Sequence, residues 1–170
     1  MSTPVSLASR DPLPWYQGLR VKPIIAVAHL IGRMRPRRIR QVLRLCARNA
    51  RPAGRAEAER ARKLVVAASI RCAGDGCVPR SIATALLCRT RGTWPTWQSG
   101  VRTNPFLAHA WVEVDGHPVD EPATTLGVHP LITVPPGAGR LRNVQTAQRL
   151  SRGNHDDPPR GSPERPVPKG

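Results

Sequence analysis

Along this chain the spacing of apolar residues changes once, near Gly92, and that change limits the kinds of fold available. Before it, apolar residues recur at steps of three and four, the period of a helix with one buried side; after it they fall into short alternating runs, the period of strands. Ile24, Val27, Ile31 and Met34 mark a first helix, which Pro36 should end or kink. Ile39, Val42, Leu43 and Cys46 mark a second, very basic on its outer face, and "ARPAG" (50–54) reads as a break. Residues 56–70, with Leu64, Val65, Ala68 and Ile70, form a third helix. "CAGDG" (72–76) is a glycine-bearing loop. Pro79 then suits the first position of a fourth helix, which carries Ile82, Ala85 and Leu86 and ends near Gly92.

Beyond Gly92, "TWPTWQSGV" (93–101) reads as a strand that Pro95 confines to a sheet edge. "AHAWVEV" (108–114) and "HPVDE" (117–121) flank Asp115-Gly116, a strong tight-hairpin signal, and "LITV" (131–134) adds a further strand. Helices first and antiparallel strands after them give an α+β fold, with helices packed on one face of a small sheet. Pro4, Pro12 and Pro14 make residues 1–20 an extended arm. Residues 21–136 carry the folded domain, and 170 residues suit one such domain. Residues 137–170 turn polar and read as a disordered tail.

Lys and Arg number 27 against 11 Asp and Glu, a formal net charge of +16 that favours anionic partners. An aromatic fraction of 4% leaves few platforms for stacking bases, and neither zinc-finger spacing nor an RNA-binding aromatic signature is present, which argues against nucleic acid. Four cysteines are too few for a disulfide-built scaffold. Cys72 and Cys77 at C-x4-C spacing, followed by a helical Cys88, make a poor zinc pattern, so no metal and no cofactor is expected. The start lacks a basic segment followed by an apolar one. The most apolar run, "PIIAVAHLIG" (23–32), is about half a bilayer span. The expected setting is cytoplasmic, with reduced thiols and no membrane partner.

"GDGCVPRS" (74–81) is where chemistry enters. A thiol reacts as thiolate, and the unpaired N–H groups and dipole of a helix start lower its pKa. Cys77 stands at such a start behind a flexible glycine loop, whereas Cys46 and Cys88 lie within helices and Cys72 ends one. A nucleophilic cysteine needs a base, and the base needs an orienting partner. His29 sits away from its helix's apolar side, and His117, His129 and His155 fall at a turn, a loop and the tail. His109 instead opens the strand "HAWVEV", with acids close behind. A turn role accounts for Asp115, and Glu113, on the His109 strand itself, reads as structural. Asp120 and Glu121 remain. A two-residue hairpin loop pairs Val114 with His117 and puts Asp120 opposite Trp111, on the His109 face; a bulged three-residue loop brings Glu121 there instead.

"CAGDGCVPRSIATALLCRTRGTWPTW" and "VRTNPFLAHAWVEVDGHPVDEP" closely resemble the lasso-peptide leader peptidases, cysteine proteases with a transglutaminase-like (papain-like) fold. The similarity covers about residues 20–135. The resemblance implies that Cys77 is the nucleophile and His109, 32 residues later, the general base. It also implies a third member, usually Asp, about twelve residues beyond the histidine; this points to Glu121, where the simple hairpin register favours Asp120. The short N-terminal arm leaves no room for a fused recognition domain, so the chain resembles the stand-alone peptidase of a split system. A precursor peptide as substrate, a separate leader-recognition protein and an ATP-dependent lasso cyclase are thereby implied as partners. The Cys77 N–H serves as an oxyanion donor, with Gln98 either a second donor or a solvent-facing strand residue. Two rival readings are a transglutaminase-type acyl transferase, which the same residues serve, and a non-enzymatic basic nucleic-acid-binding protein.

Overall fold

Pro36 begins a helix rather than ending one. In a computed structural model of the chain, the described residues are 15–74, 76–122 and 127–137, with side chains from residue 21 onward. The expectations for the arm before residue 15 and for the tail beyond 137 lie outside them. Helix α1 spans Trp15–Gly32 and α2 spans Pro36–Ala47, with Pro36 in the first turn, where its missing N–H costs no helical bond. The extended reading of residues 1–20 is corrected at its end, because α1 already begins at Trp15. No proline interrupts residues 15–22, and the helix runs through Pro23 because one face of it is deeply buried.

That face is Val21, Ile25, Ala28 and Ile31, turned from the expected Ile24–Val27–Ile31–Met34 stripe, and Val27 is 49% exposed. The helix is apolar on several sides, so periodicity alone does not choose among them. Packing chooses instead: α1 lies against α5 and α3, and the side turned toward them is the one that is buried. Helix α2 buries Ile39, Leu43 and Ala47 and leaves its arginines outside.

After a two-residue strand β1 (Arg51–Pro52), α3 (Arg55–Ala68) buries Ala58, Ala61, Val65 and Val66. It stops at Ser69, whose backbone is extended and whose hydroxyl accepts from the Cys72 N–H, starting the single turn α4 (Ile70–Ala73). Ile70, expected in the core, is therefore exposed. Helix α5 (Cys77–Arg89) lies at the centre of the domain, against α1, α3 and the sheet. Its third residue is Pro79, two positions later than expected yet still within the first turn, where N–H groups have no helical acceptor.

Strand β2 (Thr93–Trp94) pairs in parallel with β1. β3 (Thr96–Thr103), β4 (Phe106–Val114), β5 (His117–Pro118) and β6 (His129–Val134) form an antiparallel sheet in the order β5-β4-β3-β6. The edge expected for residues 93–101 is corrected: Pro95 falls between β2 and β3, so its missing donor interrupts no ladder and β3 takes an inner place. Trp97 crosses from β3 to α5, its indole Nε1–H donating to Ser81 Oγ at 3.0 Å, while Trp94 Nε1–H donates to the Val134 carbonyl at 3.2 Å. Both indoles are buried with their polar ends paired. The fold is α+β, as expected. Among the described residues no helix is long and apolar enough to cross a membrane, and all four cysteines are free thiols.

Candidate active site

Cys77 is the first residue of α5, and Gly76 before it is the cap. Gly76 N–H donates to the Arg71 carbonyl at 3.1 Å, and a Cβ at this position would run into that same oxygen, so the approach requires glycine. A glycine cap has no side chain to occupy the helix start. The first helical bond runs from Arg80 N–H to Gly76 O at 2.9 Å, and Pro79 has no N–H. The N–H groups of Cys77 and Val78 thus have no partner within the helix, and the positive end of its dipole faces the sulfur.

β4 carries His109 to this helix start. Val119 N–H donates to Val112 O at 3.0 Å, so the Val112 backbone faces β5, and the two-residue period places the Ala110 N–H on that same edge. β5 pairs only with Glu113 and Val114, leaving the edge open at Ala110. Cys77 fills the opening: its sulfur is hydrogen-bonded by the Ala110 backbone and by His109. Trp111, two residues along β4, stacks on the imidazole at 6.0 Å between ring centroids and 9° between planes.

The acid reaches His109 by a route that neither sequence register anticipated. Asp115 and Gly116 both take positive φ (51° and 79°) in a two-residue loop, with Val114 opposite His117 and Glu113 opposite Pro118. Continued as a strand, this register would set Asp120 against Trp111. Instead Asp120 adopts φ 52°, leaves the strand and is exposed. That turn delivers Glu121, whose side chain is 5% exposed, to His109, with 2.7 Å from Nε2 to Oε2. Cys77, His109 and Glu121 are thereby brought together; Asp120 is not. With Nε2 committed to Glu121, Nδ1 is the imidazole nitrogen left for the thiol.

Two arginines that sequence reasoning missed complete the cluster. Arg62 Nη2, from α3, lies 3.5 Å from Glu121 Oε1, and Arg80 Nη2, from α5, lies 3.9 Å from Oε2. Arg80 had a local signal, since it stands three residues after Cys77 and so on a neighbouring part of the helix surface. Arg62 had none; only the packing of α3 brings it here. Gln98, expected either at the site or in solvent, is buried and donates through Nε2 to Glu113 Oε2 at 2.7 Å.

Burial pushes the Cys77 thiol up, but hydrogen bonds from His109 and the Ala110 N–H, with the charges of His109 and Arg80, together hold it below its ordinary value. Burial pulls His109 down, yet its bonds to Cys77 and Glu121 and their negative charges outweigh this and raise it to about 9. The two shifts favour a thiolate beside an imidazolium, the arrangement of an activated nucleophile. Among the described residues no group of three or more His, Cys, Asp or Glu is placed to hold a metal ion.

The protein family described as the transglutaminase-like superfamily matches residues 24–133, more than half of the chain and the span that holds Cys77, His109 and Glu121. No curated protein and no solved structure matches.

Proposed function

The chain belongs to the transglutaminase-like superfamily, and on that premise we propose that it is a cysteine peptidase that removes the leader from a lasso-peptide precursor. The observation carrying this reading is the hydrogen-bonded series Cys77–His109–Glu121 with the sulfur at an uncapped helix start. The likeness of residues 72–97 and 101–122 to leader peptidases supplies the substrate.

His109 takes the Cys77 proton, and the thiolate attacks the scissile carbonyl, forming a C–S bond. The oxyanion meets the Cys77 N–H at the helix start. The C–N bond then breaks, the imidazolium protonates the departing amine, and the leader is left as a thioester. Water, deprotonated by His109, attacks that thioester and releases a carboxylic acid and the free thiol. Glu121 orients the imidazole and balances its charge throughout. The freed amine on the core peptide is the group an ATP-dependent cyclase requires, and a separate leader-recognition protein presents the precursor. Free thiols at all four cysteines suit a cytoplasmic setting.

The test is mass spectrometry of the cognate precursor incubated with its leader-binding partner and either the wild type or Cys77→Ala. A single cut made only by the wild type is expected. A crosslinked precursor identifies an acyl transferase instead. Cutting by both proteins removes Cys77 as nucleophile, and cutting by neither removes the peptidase reading. DNA binding that is strong, salt-sensitive and indifferent to Cys77→Ala then favours the nucleic-acid reading.

A further inference from the structure

Arg80 touches both halves of the candidate site. The turn α4 ends immediately before the nucleophile's loop, and its last carbonyls need partners. Ile70 O accepts from Gly74 N–H and Arg71 O from Gly76 N–H. Cys72 O and Gly74 O both accept from Arg80 Nη1, each at 3.2 Å. The other arm of the same guanidinium, Nη2, faces Glu121 Oε2, the oxygen that also holds His109. Arg80 is 9% exposed, and α5 places it one turn from Cys77. A guanidinium is a rigid plane with donors at fixed separations, so one group sets the distance between the loop that precedes the sulfur and the acid behind the imidazole.

We propose that Arg80 is a positioning residue that holds the backbone at Cys72 and Gly74, and with it Cys77, in register with the His109–Glu121 pair. This rests on the reading of Cys77 as the nucleophile. A lysine cannot replace it: an ammonium brings one charge to one point and cannot span two carbonyls and a carboxylate. Arg62, on the other carboxylate oxygen, still partners Glu121 when Arg80 is removed, so the loss strands no buried charge there.

The test compares the wild type, Arg80→Gln and Arg80→Lys by the rate at which iodoacetamide alkylates Cys77 across pH, with thermal melting in parallel. Arg80→Gln is expected to react about tenfold more slowly at neutral pH, with its reaction midpoint shifted upward, as a one-unit rise in the thiol pKa would produce. Arg80→Lys, which keeps the charge without the fork, is expected to fall between, about threefold slower. A folded Arg80→Gln with wild-type rate and midpoint overturns the proposal, whatever its melting temperature, because a merely structural residue would move only the melt. If Arg80→Gln does not fold, Arg80→Lys decides: identity with the wild type in both rate and midpoint overturns the proposal. Alkylation needs no peptide substrate. A wild type that reacts normally but leaves the precursor whole removes the peptidase reading and leaves the role of Arg80 standing. A wild-type Cys77 no more reactive than an ordinary thiol removes both.

Discussion

His109 Nε2 lies 2.7 Å from Glu121 Oε2, while Asp120, one residue nearer in the chain, is exposed. Glu121→Gln is therefore expected to lower kcat/KM on the precursor by about a hundredfold or more, because the imidazole loses its orienting charge. Asp120→Asn, which still suits the positive φ, should stay within about twofold of the wild type. Equal losses in the two variants would remove Glu121 from its assigned place.

The pH profile follows from two opposed shifts. Cys77 is held below its ordinary 9.0 and His109 is raised from 6.5 to about 9. Activity should rise as pH climbs through the depressed thiol value and fall as pH passes about 9, where the imidazolium is lost. Because its folded value is raised, His109 contributes stability fully below 6.5 and loses that contribution as pH rises through about 9. The stability gap between the wild type and His109→Gln, read from urea melts, should therefore narrow across that window.

Thiol reactivity should single out one cysteine. Burial raises Cys46 and Cys72 against the opposing influence of nearby arginines, and burial with Glu57 raises Cys88 to about 12. Limited iodoacetamide at neutral pH, followed by peptide mapping, is expected to find the label on Cys77, with Cys72 and Cys88 reacting only after unfolding. Labelling spread evenly over the four would contradict the electrostatics of the site.

Ser81 holds the first turns of α5 against the sheet by accepting from Trp97. Ser81→Ala leaves a buried indole N–H unpaired and should cost about 1–3 kcal/mol of stability in urea denaturation. A change below about 0.5 kcal/mol would mean that the indole finds another acceptor.

The exposed arginines of α2, Arg37, Arg40 and Arg44 among them, give the protein a strongly positive side. If the precursor's leader is acidic, KM should rise with ionic strength while kcat stays level. Arg40→Glu together with Arg44→Glu should raise KM at low salt and flatten that dependence. A KM insensitive to salt would remove these residues from substrate attraction.

The sequence by itself determined whatever depends on neighbouring residues. The change of period near Gly92 set helices before strands, Asp115-Gly116 set the two-residue hairpin, and glycine before Cys77 with proline two residues after it set a thiol at a helix mouth. Only the tertiary structure decided matters in which distant segments compete. The buried side of α1 was chosen by its packing against α5 and α3, because a helix apolar on several sides has no preferred face of its own. The inner place of β3 depended on the chain turning at Pro95, which let strands pair on both of its edges. Glu121 displaced Asp120 because one left-handed residue ended the strand, an event that alternation cannot register. Arg62 reached the carboxylate from a helix nearly sixty residues earlier in the chain, and no local pattern encodes a buried ion pair across that separation.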